Sequence, residues 1–187
     1  MTGLHTLELH VCESNAIERI RVPRTHPLYR RHLRAARTVE SQAQQGILMT
    51  PLELHATFLP ELGGYRTADV HVGSRDMPPH AEVPALMEEW LRTYRRWFHM
   101  VPDKERIGWH TWIAGRAEGL HHWLLCIHPF EDGNGRTARL VMNSFRRTLG
   151  EPWHIIYERE KHEYYDSIRA FEDKIFFSWH PPAKWKY

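Results

Sequence analysis

Between His128 and Arg139 the sequence HPFEDGNGRTAR brings together a proton acceptor, a carboxylate, a glycine-rich turn and two arginines. These residue types in this order suit the holding of a nucleotide phosphate chain. Gly133 and Gly135 flank Asn134, and such a segment can adopt left-handed backbone angles that turn several N–H groups toward one point. Arg136 and Arg139 are three apart, so on a helix they share a face and can fork onto phosphate oxygens, which the point charge of a lysine does less well. Asp132 is the natural hard-oxygen ligand for a Mg2+ that bridges phosphates, since that ion takes only one or two protein carboxylates. Glu131 is the second choice. His128, with an ordinary pKa of about 6.5, can accept a proton near neutral pH. An imidazole beside a bound triphosphate implies deprotonation of a hydroxyl that then attacks phosphorus, in a kinase-like or nucleotidyl-transfer reaction.

Two helices must position these groups. Leu140, Val141, Phe145 and Leu149 recur at helical spacing until Gly150, which predicts a helix from about Gly135 with a glycine C-cap. The glycine turn then sits at a helix N-terminus, where the dipole and the free N–H groups favour an anion. Ahead of the turn, the apolar run Trp123-Leu124-Leu125-Cys126-Ile127 predicts the end of a buried helix, from about Trp109, that delivers His128 to the phosphate site.

The segment resembles, at every defining position, the HxFx(D/E)GNGRxxR motif of the Fic (Fic/Doc) family. The resemblance implies a mainly α fold, a helical domain with a small β-hairpin flap, whose usual reaction transfers AMP from ATP to a Ser, Thr or Tyr hydroxyl of a target protein. By that analogy His128 is the general base, Asp132 binds Mg2+, Gly133, Asn134 and Gly135 form the phosphate loop, Arg136 and Arg139 clamp phosphates, and Phe130 anchors the loop. The stretch 64–73, GYRTADVHVG, is similar to the family's flap, with Thr67, Ala68, Asp69 and Val70 as the target-binding edge. Alternation of Ala68, Val70 and Val72 with polar neighbours independently predicts an extended segment there. Within residues 1–24, Ser14-Asn15-Ala16-Ile17-Glu18 resembles the family's inhibitory helix, (S/T)xxxE(G/N), which implies that Glu18 pairs with Arg139 and blocks the γ-phosphate position. Arg19 departs from the Gly or Asn of that pattern. Gly135 favours adenylylation, because family kinases tend to carry lysine there. Removal of AMP with Glu18 aligning a water, transfer of another phosphate-containing group, and a binding module without chemistry remain as alternatives.

With 187 residues, 42% of them hydrophobic, the chain reads as one domain over 1–187. A net charge of +2 gives no argument for nucleic acid or membrane partners, and a homo-oligomer is compatible with it. Cys12 and Cys126 are distant, form no CxxC and follow no secretory leader, so reduced thiols in the cytoplasm are expected. No apolar run approaches the roughly 20 residues of a membrane span. The basic cluster Arg30-Arg31-His32-Leu33-Arg34 reads as the wet face of a helix. A further helix is expected through Leu86, Met87, Trp90, Leu91, Tyr94, Trp97 and Phe98. His110, His121 and His122 lack metal-site spacing and read as surface or packing residues. Tyr157, Tyr164 and Tyr165 belong to a last helix that could wall the nucleotide base.

Overall fold

The computed structural model describes residues 3–73, 75–105 and 108–172, so the domain boundaries read from the sequence include residues outside these ranges. Seven α-helices and one hairpin appear among them. The helices are α1 Gly3–Ile17, α2 Pro27–Ala43, α3 Pro51–Phe58, α4 Val83–His99, α5 Trp109–Ile127, α6 Asn134–Thr148 and α7 Lys161–Phe171. The hairpin pairs β1 His71–Val72 with β2 Arg75–Asp76, in the register His71 opposite Asp76 and Val72 opposite Arg75.

Local chemistry explains where several helices begin. Pro27 opens α2 behind His26, whose ring accepts from the Leu28 N–H, and Pro51 opens α3 behind Thr50. Thr50 and Glu53 form a reciprocal capping box, which satisfies N–H groups that have no preceding turn to bond to. α6 runs through the middle of the domain, packed against α5, α2 and α3. Its apolar side chains Leu140, Val141 and Phe145 are wholly buried, each contributing roughly 1.5–3 kcal/mol by leaving water. On the α4 side, the Trp90 indole donates to the Leu120 carbonyl (3.0 Å) and the Tyr94 hydroxyl to the Met49 carbonyl (3.2 Å), so both large rings are buried with their polar atoms satisfied.

Two expectations need correction. His32, read as part of a solvated basic face, is fully buried on α2, with Nδ1 2.9 Å from Asn15 Oδ1 and its ring stacked on Phe58. Arg30 and Arg34 do stay exposed, so the wet face is interrupted at His32 and Leu33, which the helix turn carries inward. The second correction concerns the flap. Thr67, Ala68, Asp69 and Val70 are not in the ladder, which starts at His71 and returns through Arg75–Asp76, beyond the predicted end at Gly73. The outgoing leg is bent because the Arg66 side chain takes the Ala68 carbonyl (2.9 Å) and the Asp69 carboxylate turns to the His80 N–H (2.7 Å). Val70 still accepts from the Met77 N–H (3.1 Å), which holds the two legs together.

Candidate active site

α5 ends at His128, whose backbone is left-handed (φ 51°), and Pro129 then prevents the helix from continuing. Histidine is among the side chains that tolerate this region. The loop turns at once. Phe130 is fully buried and stacks on His55 with centroids 3.9 Å apart and planes 5° apart. His55 Nε2 lies 3.0 Å from the Asp132 carbonyl, which can only accept, so that nitrogen carries the proton. Asn134 staples the loop: Phe130 N–H donates to its Oδ1 (2.9 Å) and its Nδ2 donates to the Phe130 carbonyl (2.8 Å). Its side chain is therefore engaged within the loop, and it is the backbone of 133–135 that faces the helix end.

Gly133 initiates α6 with φ 78°, and a Cβ there would also meet Leu59. Both facts demand glycine. At Gly135 the reason is different: a Cβ on it would overlap the Glu18 carboxylate, which would have to swing away. The N–H groups of the first turn of α6 have no intrahelical partner, and the positive end of the helix dipole lies here. A carboxylate from α1's end thus rests where a helix N-terminus attracts an anion.

Glu18 is held there by Arg139. Arg139 Nη2 donates to Glu18 Oε1 (2.7 Å) and to the Ser14 carbonyl (2.9 Å), Nε donates to Ser14 Oγ (2.8 Å), and Nη1 donates to Tyr164 Oη (3.2 Å). All three guanidinium nitrogens are used, and the group is almost wholly buried. Burial alone would weaken the cation, but Tyr164 and Glu18 outweigh it and hold its pKa above the ordinary arginine value. The Tyr164 hydroxyl, having accepted from Arg139, gives its proton toward His121 Nε2, 3.0 Å away. Burial keeps His121 neutral, far below its ordinary pKa.

Arg136 is arranged differently. Its Nη2 donates to Asp132 Oδ2 (2.9 Å), its ring-like plane lies over Phe58, and its Nε and Nη1 are buried without an acceptor among the described residues. Asp132 also receives the Gly133 N–H on Oδ1 (2.6 Å), while two thirds of its side chain remains exposed. Each of its oxygens accepts one of these bonds and has the capacity for another. No group of three or more His, Cys, Asp or Glu side chains able to hold a metal occurs among the described residues. An exposed carboxylate such as Asp132 is a donor that suits Mg2+, which takes only one or two protein carboxylates.

The His128 imidazole is pushed down to about 4, first by burial, with Arg66 adding to the effect and Glu18 and Asp132 opposing it. The Leu125 backbone also opposes the shift, by favouring a protonated ring nitrogen. At neutral pH the group is an uncharged base. Thr67, Ala68 and Asp69 are exposed on the flap, away from the ladder. Sequence reasoning assigned no role to His55 or Arg66. His55 leaves no signal in motif spacing, because its contact with Phe130 closes over a long sequence separation; Arg66 sat in the flap segment but gave no hint of burial.

A helix capped by a histidine, a stapled glycine loop and an arginine-bearing central helix with a hairpin beside it make up a Fic-type helical fold. The Fic/DOC family model matches residues 48–146, and the chain belongs to that family. It is 34% identical over 128 residues to "Protein adenylyltransferase Fic" of Aedes aegypti and 36% identical over 127 residues to the protein of that name in Culex quinquefasciatus, covering 64% of this chain in each case. It spans only 23% of the length of each of those proteins. Among solved structures, a Fic-domain-containing signaling protein of Bacteroides thetaiotaomicron superposes with a TM-score of 0.73 at 21% identity, over 88% of this chain and 71% of that one. Fic-1 of C. elegans superposes at 0.65 and 23% identity, over 91% and 56%. These likenesses establish the fold. The α1 segment that carries Ser14 and Glu18 lies outside the residues matched by the family model.

Proposed function

We propose that this chain transfers AMP from ATP to a Ser, Thr or Tyr hydroxyl of a target protein, and that Glu18 restrains it. The observation that carries this reading is the pairing, across one loop, of an uncharged buried imidazole with a helix-end anion seat on which a carboxylate already rests. The relatives of this chain that are named protein adenylyltransferase support it.

In this reading the ATP phosphates lie over residues 133–135, clamped by Arg136 and, once Glu18 leaves, by Arg139. Asp132 would hold a Mg2+ ion, which supplies charge neutralisation to the phosphates when bound. His128 takes the proton of the target hydroxyl, whose oxygen forms a bond to the α-phosphorus as the bond to the β-phosphate oxygen breaks and pyrophosphate departs. The flap, with Thr67, Ala68, Asp69 and Val70 on its outgoing leg, offers backbone to an extended target segment. Glu18 on Arg139 removes the donors that a terminal phosphate needs, so ATP binds unproductively or weakly while the contact lasts.

Cys12 and the buried Cys126 are free thiols, which fits a reducing cytoplasm. No helix among the described residues is long and apolar enough to cross a membrane. The test is incubation of the chain and its Glu18→Gly variant with Mg2+ and ATP labelled at the α-phosphate, alone and with cell lysate, read by gel and mass spectrometry. AMP on a hydroxyl residue, more of it with the variant, is expected. Loss of AMP from a premodified protein with no forward labelling would assign the reverse reaction instead.

A further inference from the structure

Arg66 lies in the flap segment ahead of its ladder, and among the described residues its side chain is the most completely enclosed charge outside the motif helix, at 3% exposure for the residue. Nothing in the anion seat uses it. Its Nε donates to the His128 carbonyl (2.8 Å), its Nη1 to the Ala68 carbonyl (2.9 Å) and its Nη2 to the Pro78 carbonyl, while its backbone N–H donates to the Pro129 carbonyl (2.8 Å). Among the described residues, the carboxylate paired with it is that of Asp69, whose Oδ1 stands 3.9 Å from Nη1 and is already engaged by the His80 N–H.

The four acceptors have a clear geometry. The His128 and Pro129 carbonyls belong to the end of α5 and the start of the motif loop, and the Ala68 and Pro78 carbonyls belong to the outgoing and returning legs of the flap. One planar guanidinium joins the residue read as the base to the element read as the target's docking edge. We propose that Arg66 is a positioning residue, which sets His128 for proton removal by pinning its carbonyl and both legs of the flap to a single rigid group. The proposal rests on the AMP-transfer reading.

The physical case has three parts. The carbonyl at the end of α5 has no intrahelical donor, and a cation there also meets the negative end of the helix dipole. His128 holds a left-handed backbone that a residue with a Cβ leaves readily unless neighbours fix it, and the Arg66 contacts to residues 128 and 129 bracket that peptide. A lysine in the same place would present a point charge on a flexible stem and could not span three carbonyls in one plane. The charged groups facing the imidazole are Arg66, Glu18 and Asp132, and of these Arg66 favours the uncharged form. A target segment seated on the flap and the base that deprotonates it consequently move as one body, which is the condition for holding reacting atoms in line.

The experiment compares Arg66→Lys and Arg66→Gln in the Glu18→Gly background, with self-labelling from α-labelled Mg-ATP as the activity probe. Maximal rate, ATP affinity by calorimetry, circular dichroism and the rate–pH profile are read for each. Misplacement of the base by about an ångström predicts a maximal rate roughly 10- to 100-fold below the parent in both variants, with ATP affinity within twofold. The acid limb of the pH profile moves upward in Arg66→Gln, where the cation is gone, and not in Arg66→Lys. If Arg66→Gln fails to fold, Arg66→Lys decides on rate and affinity alone. A maximal rate within twofold of the parent, or rate and ATP affinity lost together, overturns the proposal. A Glu18→Gly parent that transfers no AMP overturns the underlying reading, and this inference falls with it.

Discussion

Glu18→Gly removes a single carboxylate from the anion seat and leaves the rest of the arginine's cage in place. Arg139 retains Ser14 Oγ, the Ser14 carbonyl and Tyr164 Oη, so its guanidinium keeps its position and gains a free donor. A hydrogen bond between charged partners contributes about 1.5–3 kcal/mol. Arg139 is 1% exposed but the Glu18 side chain is 32% exposed, so solvent screens the pair and the lower part of that range, about 1.5–2 kcal/mol, applies. At 1.4 kcal/mol per factor of ten, relief of this contact raises productive ATP binding, and the initial rate at subsaturating ATP, by roughly 10- to 30-fold. The assay is initial-rate labelling with α-labelled Mg-ATP in the parent, in Glu18→Gly and in Glu18→Gly with His128→Ala, with ATP affinity measured separately by calorimetry. The last variant should bind ATP and transfer nothing. Equal rates in the parent and in Glu18→Gly, with ATP bound by both, would refute the claim that this carboxylate obstructs the seat.

Three further outcomes follow from the same geometry. Gly135→Ala should lower the thermal midpoint of the nucleotide-free chain by more than it does in the Glu18→Gly background, because the added Cβ collides with that carboxylate; equal losses in both would show that the overlap is not felt. Burial holds His128 at about 4, so the uncharged base persists down the pH scale: the rate of Glu18→Gly should stay level from about pH 8 to 5 and fall as pH drops through 4, whereas a fall centred near 6.5 would contradict its burial. Arg19 ends the α1 segment with φ 60°, a conformation glycine adopts freely, so Arg19→Gly should relieve up to about 1 kcal/mol, raise the thermal midpoint by about 1–3 °C and deepen inhibition in the parent. A lowered midpoint would show that the backbone there is not strained.

The departure at Arg19 illustrates how sequence and structure divide the labour. Its pattern position predicts a residue suited to a helix end, and the chain does take the left-handed turn there, with an arginine in place of glycine. The turn survives because Ile20 N–H reaches back to the Asn15 carbonyl (2.9 Å) and Arg19 N–H to that of Ala16 (2.9 Å), so the backbone pattern fixes the conformation despite the Cβ. The helices α5 and α6 were equally legible, since glycine and proline mark their ends and apolar spacing marks their inner faces. The flap was legible only as an extended region. Its ladder is two residues long on each side, and its bend is imposed by Arg66 and Asp69 contacts that no alternation of side chains encodes.

What the sequence determined by itself is the chemistry of one contiguous loop: a histidine at the end of an apolar helix, a glycine turn at the start of the next, and two arginines on that helix's first turns, all fixed by local backbone geometry. Only the tertiary structure decided which distant groups meet that loop. Glu18 and Ser14 reach Arg139 over more than a hundred residues, His55 stacks under Phe130, and Arg66 joins the flap to His128. The protonation states were settled there too, because an imidazole's pKa depends on how much water the fold removes from it and on which charges the fold brings near. Residue identity supplies an acid or a base in principle; burial among particular neighbours keeps His128 uncharged well below neutral pH and gives each Arg139 nitrogen an acceptor.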